Sequence, residues 1–174
     1  TGSRAVAPPR ITANMSSVMQ PSTTGLRHTN SSPSRMASQL IRALVPAMRE
    51  RGWGRVLNIS SGAAFKPMAF HPEYSAAKLA LHTLACSLSR ELGDCGVTVN
   101  TLISGLVMTV HTQALIRGAA KAHGFTETGE ALERRVLREV WHSTMPLGRA
   151  GKVEELAAAA CFLVSQHAAY ITGA

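Results

Sequence analysis

The sequence predicts an α/β fold with a parallel sheet, because two apolar runs alternate with helical segments. The runs at 55–60 and 97–103 are short and rich in β-branched residues, which is typical of buried parallel strands. Helical periodicity precedes the first run, fills the interval between the two runs and follows the second. Strands and helices in this order specify parallel pairing through right-handed crossovers.

The first 34 residues differ in composition from the rest of the chain. Eighteen of them are Ser, Thr, Pro or Gly, and no helical or strand period persists, so we expect an irregular or disordered segment before a partial domain at 35–174. The net charge of +8 lies mostly in the first third of the chain, because residues 1–49 hold six arginines and no acid. No basic stripe with interleaved aromatic residues follows, so a nucleic-acid partner is not expected.

The first predicted element is an amphipathic helix at 35–51. Its apolar positions recur at three- and four-residue steps and are Met36, Leu40, Ile41, Leu44 and Val45. Pro46 should kink or tighten the last turns, since it lacks the N–H that a helix interior needs. Gly52 and Gly54 then end the helix and lead into the first strand.

The clearest helix is predicted at 73–92, after a loop at 62–72, and Gly93 or Gly96 should end it. Its wide apolar face consists of Ala76, Ala77, Ala80, Leu81, Leu84 and Leu88.

Beyond the second strand, helical periodicity appears near 112–122 and 128–141, and Lys152 opens a last helix that runs to about Val164. The apolar stretch 156–164 is too short to span a membrane and is interpreted as a buried helix.

Several classes of function are not supported by the sequence. The three cysteines, Cys86, Cys95 and Cys161, lack the spacing of a metal or redox site, so we expect reduced packing residues and no bound metal. A cytoplasmic setting follows from this cysteine usage. No secretory signal pattern and no membrane span is visible in the sequence.

The candidate chemistry is carried by a tyrosine, a lysine and a serine. Tyr74 and Lys78 are four residues apart on the predicted helix, which places them on one face. A nearby ammonium favours the phenolate form, as a proton-transfer role requires. Ser61 directly follows the first strand, where side chains line the ligand crevice of open α/β sheets. Each feature alone also fits a packed tyrosine, an exposed lysine or a turn serine.

Six motifs in a fixed order give the chain a family resemblance. They are Gly54-Arg-Val-Leu-Asn-Ile-Ser-Ser61, Tyr74-Ser-Ala-Ala-Lys78, Gly96-Val-Thr-Val-Asn100, Pro146-Leu-Gly-Arg149, Val153-Glu-Glu-Leu156 and Tyr170-Ile-Thr-Gly173. Over about 35–174 the chain resembles classical short-chain dehydrogenases/reductases and is similar to 3-oxoacyl-carrier-protein reductases. The resemblance implies an incomplete Rossmann-like, doubly wound parallel sheet that forms the C-terminal catalytic half of such an enzyme.

The resemblance also implies roles for individual residues. Tyr74 would act as general acid/base, Ser61 would orient the substrate carbonyl or hydroxyl, and Lys78 would support the phenolate and bond the nicotinamide ribose. The loop after the second strand would hold the nicotinamide carboxamide through Gly105, Val107 and Thr109, although Thr109 equally fits a helix N-cap. The implied cofactor is NAD or NADP, and the implied substrate is a small carbonyl/alcohol pair. The two long helices would pair between subunits of a homo-oligomer.

The chain departs from the family pattern in three places. After Thr1-Gly-Ser-Arg the next glycine is Gly25, so the glycine-rich loop that binds the cofactor pyrophosphate is not recognisable. The family's loop proline is Ser104 here, and Asn30 is the nearest candidate for the family's catalytic asparagine. A fragment with an altered early part and a degenerate member both explain this pattern. Weak cofactor binding is therefore expected, and an inactive remnant or oligomerisation module is the alternative function.

Overall fold

Two parallel strands and two long helices form the main layer of the structure, a computed structural model that describes residues 33–143 and 145–174. Strand β1 (Gly54–Ser61) pairs in register with strand β2 (Val97–Ser104) over eight residues. Helix α1 (Pro33–Glu50) precedes β1, and helix α2 (Pro72–Leu92) connects the two strands. The predicted parallel α/β arrangement is therefore confirmed, with element ends shifted by one or two residues.

The core lies between one face of the sheet and the two helices. Alternate residues of β2 point to that face, so Val97 and Val99 are fully buried there. Its other buried members come from the helices and are Ile41, Val45, Ala85 and Leu92. Each large apolar side chain buried in this way contributes roughly 1.5–3 kcal/mol, so the packing of α1 and α2 on the sheet fixes the position of both helices.

Two glycines shape the amino-terminal edge of the sheet. Helix α1 runs through Pro46 and ends in a Schellman turn, in which Gly52 (φ +67°) donates to the carbonyl of Arg49 and Trp53 donates to that of Met48. Of the two glycines predicted to end α2, Gly96 (φ +69°) makes the left-handed turn. A Cβ on Gly96 would lie 2.2 Å from the carbonyl oxygen of Gly52, so no other residue fits there.

A smaller helical cluster follows β2. Helix α3 (Val110–Ala122) matches the helix predicted near 112–122, and helix α4 (Gly129–Arg135) begins close to the predicted start of the next. The chain then changes to a π-helix at Val136–Val140, which sequence periodicity does not reveal. The buried residues of this second core are Ile116, Ala120 and Val136.

The predicted burial of the last helix, α5 (Val153–Leu163), is wrong. Its apolar sequence suggested a buried helix, yet none of its eleven residues is buried and Phe162 is 48% exposed. Among the described residues, the main contacts of α5 are with the two strands and the 3-10 turn at 166–168, and this packing leaves all of its residues at least partly exposed. None of the helices in the described ranges has the length and apolarity that crossing a membrane requires.

The last four residues lie along the outer edge of β2. Gly173 donates to the carbonyl of Val99 at 2.8 Å, and Thr101 donates to the carbonyl of Ala174 at 2.7 Å. The side chain of Asn100 adds bonds to the carbonyl of Ile171 and to the N–H of Ala174. This segment therefore satisfies backbone groups on the side of β2 that β1 does not cover.

Candidate active site

Ser61 lies at the carboxyl end of β1 and begins a short 3-10 turn. Its Oγ accepts a hydrogen bond from the N–H of Ala63 at 3.2 Å, which makes Ser61 the N-cap of the turn at 62–64. A serine hydroxyl holds one donor and two acceptor positions. The capping bond uses one acceptor position, so the hydroxyl proton remains available for a ligand at the sheet edge.

Tyr74 lies in the first turn of α2, where its phenol is half-buried. The preceding loop is held to this turn by Ser75, whose hydroxyl donates to the carbonyl of His71 and accepts from the N–H of Met68. Ser75 is itself buried. These bonds fix the loop before α2 against the turn that carries Tyr74.

Lys78 is one helical turn from Tyr74, and the two side chains meet. The Lys78 Nζ lies 5.6 Å from the centroid of the Tyr74 ring and donates to the carbonyl of Ile59 at 2.9 Å. Partial burial lowers the pKa of the Lys78 ammonium. The structure thus brings the predicted phenol and ammonium together beside the tip of β1, where Ser61 also lies.

Polar side chains on the strands hold α2 in place over the sheet. The Ser60 hydroxyl donates to the carbonyl of Lys78 at 2.9 Å, and Asn58 Nδ2 donates to the carbonyl of Leu81 at 3.2 Å. Thr101 makes a longer bond of 3.5 Å to that same Leu81 carbonyl. The sequence patterns above predict no role for these buried residues, although Asn58 and Ser60 are polar residues at alternate positions of an apolar strand, a signal that favours such a role.

The loop after β2 starts directly beside Ser61, because Ser104 is its partner in the register. The Ser104 hydroxyl donates to the carbonyl of Ser60 at 3.4 Å, so the residue that replaces the family's proline ties the two strand tips together. A Cβ on Gly105 would meet no atom within 4 Å, which leaves open space next to this loop.

Thr109 and Val107 make bonds within the protein. Thr109 is the N-cap of α3: its Oγ1 accepts from the N–H of Thr112 at 3.1 Å, as one of the two interpretations of this residue predicted. The carbonyl of Val107 accepts from the Thr112 hydroxyl at 2.8 Å and from the N–H of Thr109 at 2.9 Å. These bonds fix the shape of the loop at the carboxyl end of β2.

Backbone hydrogen bonds from the segment before α5 also hold the loop that follows β2. Gly151 donates to the carbonyl of Leu106 at 2.9 Å and accepts from the N–H of Met108 at 2.8 Å. Next to it, Arg149 makes two hydrogen bonds to Glu155, of 2.8 and 2.5 Å. The Arg149 guanidinium, together with the N–H of Lys152, lowers the pKa of Glu155 to about 2. Two of the sequence motifs are therefore explained as supports of the loop.

Two further predictions concern asparagine and metal. Asn30 lies outside the described residues. Within 33–143 and 145–174, no group of three or more His, Cys, Asp or Glu side chains is arranged to hold a metal ion.

Comparison with known proteins identifies the relatives of the chain. The family model described as enoyl-(acyl carrier protein) reductase matches residues 5–174. D-beta-hydroxybutyrate dehydrogenase of Rhizobium meliloti is 34% identical over 133 residues, which cover 76% of this chain and 49% of that protein. The 3-oxoacyl-(acyl-carrier-protein) reductase of Pseudomonas aeruginosa is 34% identical over 136 residues, which cover 78% and 48%.

Solved structures give the same result for the fold. An oxidoreductase of Burkholderia thailandensis, described as a short chain dehydrogenase/reductase, aligns with a TM-score of 0.63 at 29% identity and covers 80% of this chain and 48% of that one. The chain spans about half the length of the curated relatives it matches. From the match over 5–174 and these likenesses, the chain belongs to the short-chain dehydrogenase/reductase family, a group of nicotinamide-dependent oxidoreductases with a Rossmann-like sheet.

Proposed function

We propose that this chain carries the catalytic half of an NAD(P)-dependent oxidoreductase that transfers a hydride between nicotinamide and a carbonyl/alcohol carbon. The observation that carries the proposal is the contact between the Lys78 ammonium and the Tyr74 ring, 5.6 Å apart, at the strand end where Ser61 lies. Two side chains that hold or move a proton and a hydroxyl that can orient a carbonyl are the groups this reaction needs from the protein.

Each of the three residues has a distinct task in the proposed reaction. Tyr74 gives its phenolic proton to the carbonyl oxygen during reduction and takes a proton from the alcohol during oxidation. Ser61 donates its unused hydroxyl proton to that same oxygen and so fixes its position. Lys78 stabilises the phenolate while Tyr74 lacks its proton. The nicotinamide, when bound, supplies or accepts the hydride.

The donor groups of the site fit a nicotinamide ribose and carboxamide. Lys78 Nζ has three N–H groups, and its bond to the Ile59 carbonyl uses one of them. The Thr109 hydroxyl bonds both the N–H and the hydroxyl of Thr112 and keeps one acceptor position, and the space beside Gly105 is open. We assign Lys78 and Tyr74 to the ribose, and Gly105, Val107 and Thr109 to the carboxamide.

We propose a 3-oxo or 3-hydroxy acyl compound as the substrate. The two relatives above are named for D-beta-hydroxybutyrate and for 3-oxoacyl groups. The loop between Ser61 and Tyr74 exposes two aromatic rings, Phe65 at 57% and Phe70 at 75%. Exposed apolar rings near a reactive hydroxyl suit a substrate with an aliphatic chain.

The alternative is an oligomerisation module that does not turn over a cofactor. It is favoured by the unrecognisable glycine-rich loop, since Gly25 is the next glycine after Gly2. The outer faces of α1 and α2 also expose Leu40 and Leu79, at 39% and 41%, where a second copy of the chain could pack. We propose a homo-oligomer through these helices in both cases, so oligomeric state alone does not separate the alternatives.

Single-turnover oxidation of NADH or NADPH distinguishes the oxidoreductase from the oligomerisation module. The purified chain is mixed with millimolar cofactor and with acetoacetate or acetoacetyl-CoA, and Tyr74→Phe is compared with wild type. We expect turnover of a 3-oxo compound and a loss of about 10³-fold in Tyr74→Phe. The matched control is Tyr170→Phe, because Tyr170 is fully exposed and remote in sequence from the site. Absence of turnover in wild type, or equal rates in both variants, would contradict the proposal.

A further inference from the structure

We propose that Ser60 is the positioning residue of the Tyr74–Lys78 pair and that, with Ile59, it holds both ends of Lys78 against β1. The catalytic consequence of this inference rests on the proposed function above. The structural part does not, because it concerns contacts of this chain alone.

Two consecutive strand residues hold one lysine at opposite ends. The buried Ser60 hydroxyl donates to the main-chain carbonyl of Lys78 at 2.9 Å. The main-chain carbonyl of Ile59 accepts from the Lys78 ammonium, also at 2.9 Å. The lysine side chain therefore spans between two points that are fixed on the same strand, which restricts its rotamers. A long flexible side chain otherwise loses considerable entropy on being held in one geometry.

The hydrogen bond from the Ser60 hydroxyl is a second bond to the Lys78 carbonyl, in addition to the one made within the helix. The Lys78 carbonyl lies inside α2, so it also accepts the helical hydrogen bond from the N–H four residues later. Removal of the Ser60 hydroxyl therefore leaves no buried donor or acceptor without a partner. Because such orphaned groups are the main cause of large stability losses in buried hydrogen-bond variants, a change at Ser60 should affect position more than folding.

Tyr74 and Lys78 both lie on α2, whereas the Lys78 ammonium is bonded to Ile59 on β1, so the distance between the Lys78 main chain and β1 affects where the ammonium lies relative to the phenol. The Nζ-to-ring distance is 5.6 Å, near the outer limit for an interaction between a cation and an aromatic ring. Partial burial, which lowers the Lys78 pKa, agrees with an ammonium held away from bulk water. Release of the Lys78 main chain would let the ammonium move toward solvent and away from Tyr74.

The strands offer a matched control for this interaction. Asn58 and Thr101 also donate from the sheet to α2, but both reach the Leu81 carbonyl instead of Lys78. Thr101→Val removes a hydroxyl and keeps the shape of the side chain, so it weakens the attachment of α2 without touching either end of Lys78. A general loosening of the helix would appear in both variants, whereas positioning of Lys78 would appear only in Ser60→Ala.

Trace acetylation of the chain at several pH values, read by mass spectrometry, measures the pKa and the accessibility of each lysine. The chain has four lysines, so Lys121 and Lys152 serve as internal references. In Ser60→Ala we expect a higher Lys78 pKa and a limiting acetylation rate about tenfold faster. Thr101→Val and Ser60→Thr, which keeps the hydroxyl, should retain the wild-type Lys78 values. Thermal melting confirms that each variant is folded.

Two results would overturn the inference. One is an unchanged Lys78 pKa and rate in Ser60→Ala, and the other is an equal change in Thr101→Val. Turnover adds the catalytic arm: we expect kcat to fall about tenfold in Ser60→Ala with little change in KM. If wild type shows no turnover while acetylation changes as expected, the proposed function fails and the positioning role stands.

Discussion

Ser61 and Thr109 are both N-caps in the segments that follow neighbouring strands, but they differ in which hydrogen-bonding positions of their hydroxyl groups stay unused. Ser61 caps the turn after β1 by accepting from the N–H of Ala63. Thr109 caps α3 by accepting from the N–H of Thr112, and its Oγ1 is also 3.0 Å from the Thr112 hydroxyl. One hydroxyl keeps a donor for a ligand, whereas the other is engaged from two sides. The tip of β1 therefore leaves a hydroxyl donor available, whereas Thr109 beyond β2 uses its donor in a bond to Thr112, whose own hydroxyl donates to Val107.

The neighbours of the two tips show the same contrast. Beside β1, Lys78 holds an ammonium with further donors next to the Tyr74 ring. Beside β2, the Val107 carbonyl accepts two internal bonds and Gly151 fixes the loop from the far side. Equivalent places at one sheet edge can thus differ in role, because their local hydrogen bonds leave different groups available.

Ser61→Ala tests the tip of β1 and should have the largest effect of the three changes that compare the two strand tips. We expect the single-turnover rate with a 3-oxo substrate to fall about a hundredfold, because one donor to the carbonyl oxygen is lost. The loss of the capping bond should cost at most about 1 kcal/mol of unfolding free energy, measured by urea denaturation. A rate close to wild type would assign Ser61 to capping alone.

Sequence patterns were sufficient for the elements whose signal is local. The position of Tyr74 and Lys78 on one helix follows from residue order and is confirmed, and Ser61, predicted to follow the first strand, is the last residue of β1. The burial of α5 could not be predicted in the same way, because it depends on which other layers are present. The bond from Ser60 to Lys78 depends on how α2 is rotated over the sheet, which no local pattern contains.

Thr109→Val tests the supporting side, with a smaller effect expected. Valine keeps the shape of threonine but cannot accept from the N–H of Thr112, so we expect a loss of about 1 kcal/mol in the free energy of unfolding. The single-turnover rate at saturating cofactor should change much less than in Ser61→Ala. A rate loss as large as that of Ser61→Ala would show that Thr109 contacts the reacting groups and would end the distinction between the two tips.

The ion pair between Arg149 and Glu155 should give the smallest effect, because the two side chains are 40% and 48% exposed and solvent screens their attraction. The pKa of Glu155 is about 2 in the folded chain, below its ordinary value of 4.5, so its contribution is fully present above pH 4.5 and is lost as the pH falls toward 2. We expect Glu155→Gln to lower the urea midpoint slightly at pH 6 and to lose this difference near pH 2. Glu154→Gln, one residue away in α5, is the control. A difference that grows as the pH falls would show that the loop after β2 is held by something other than this ion pair.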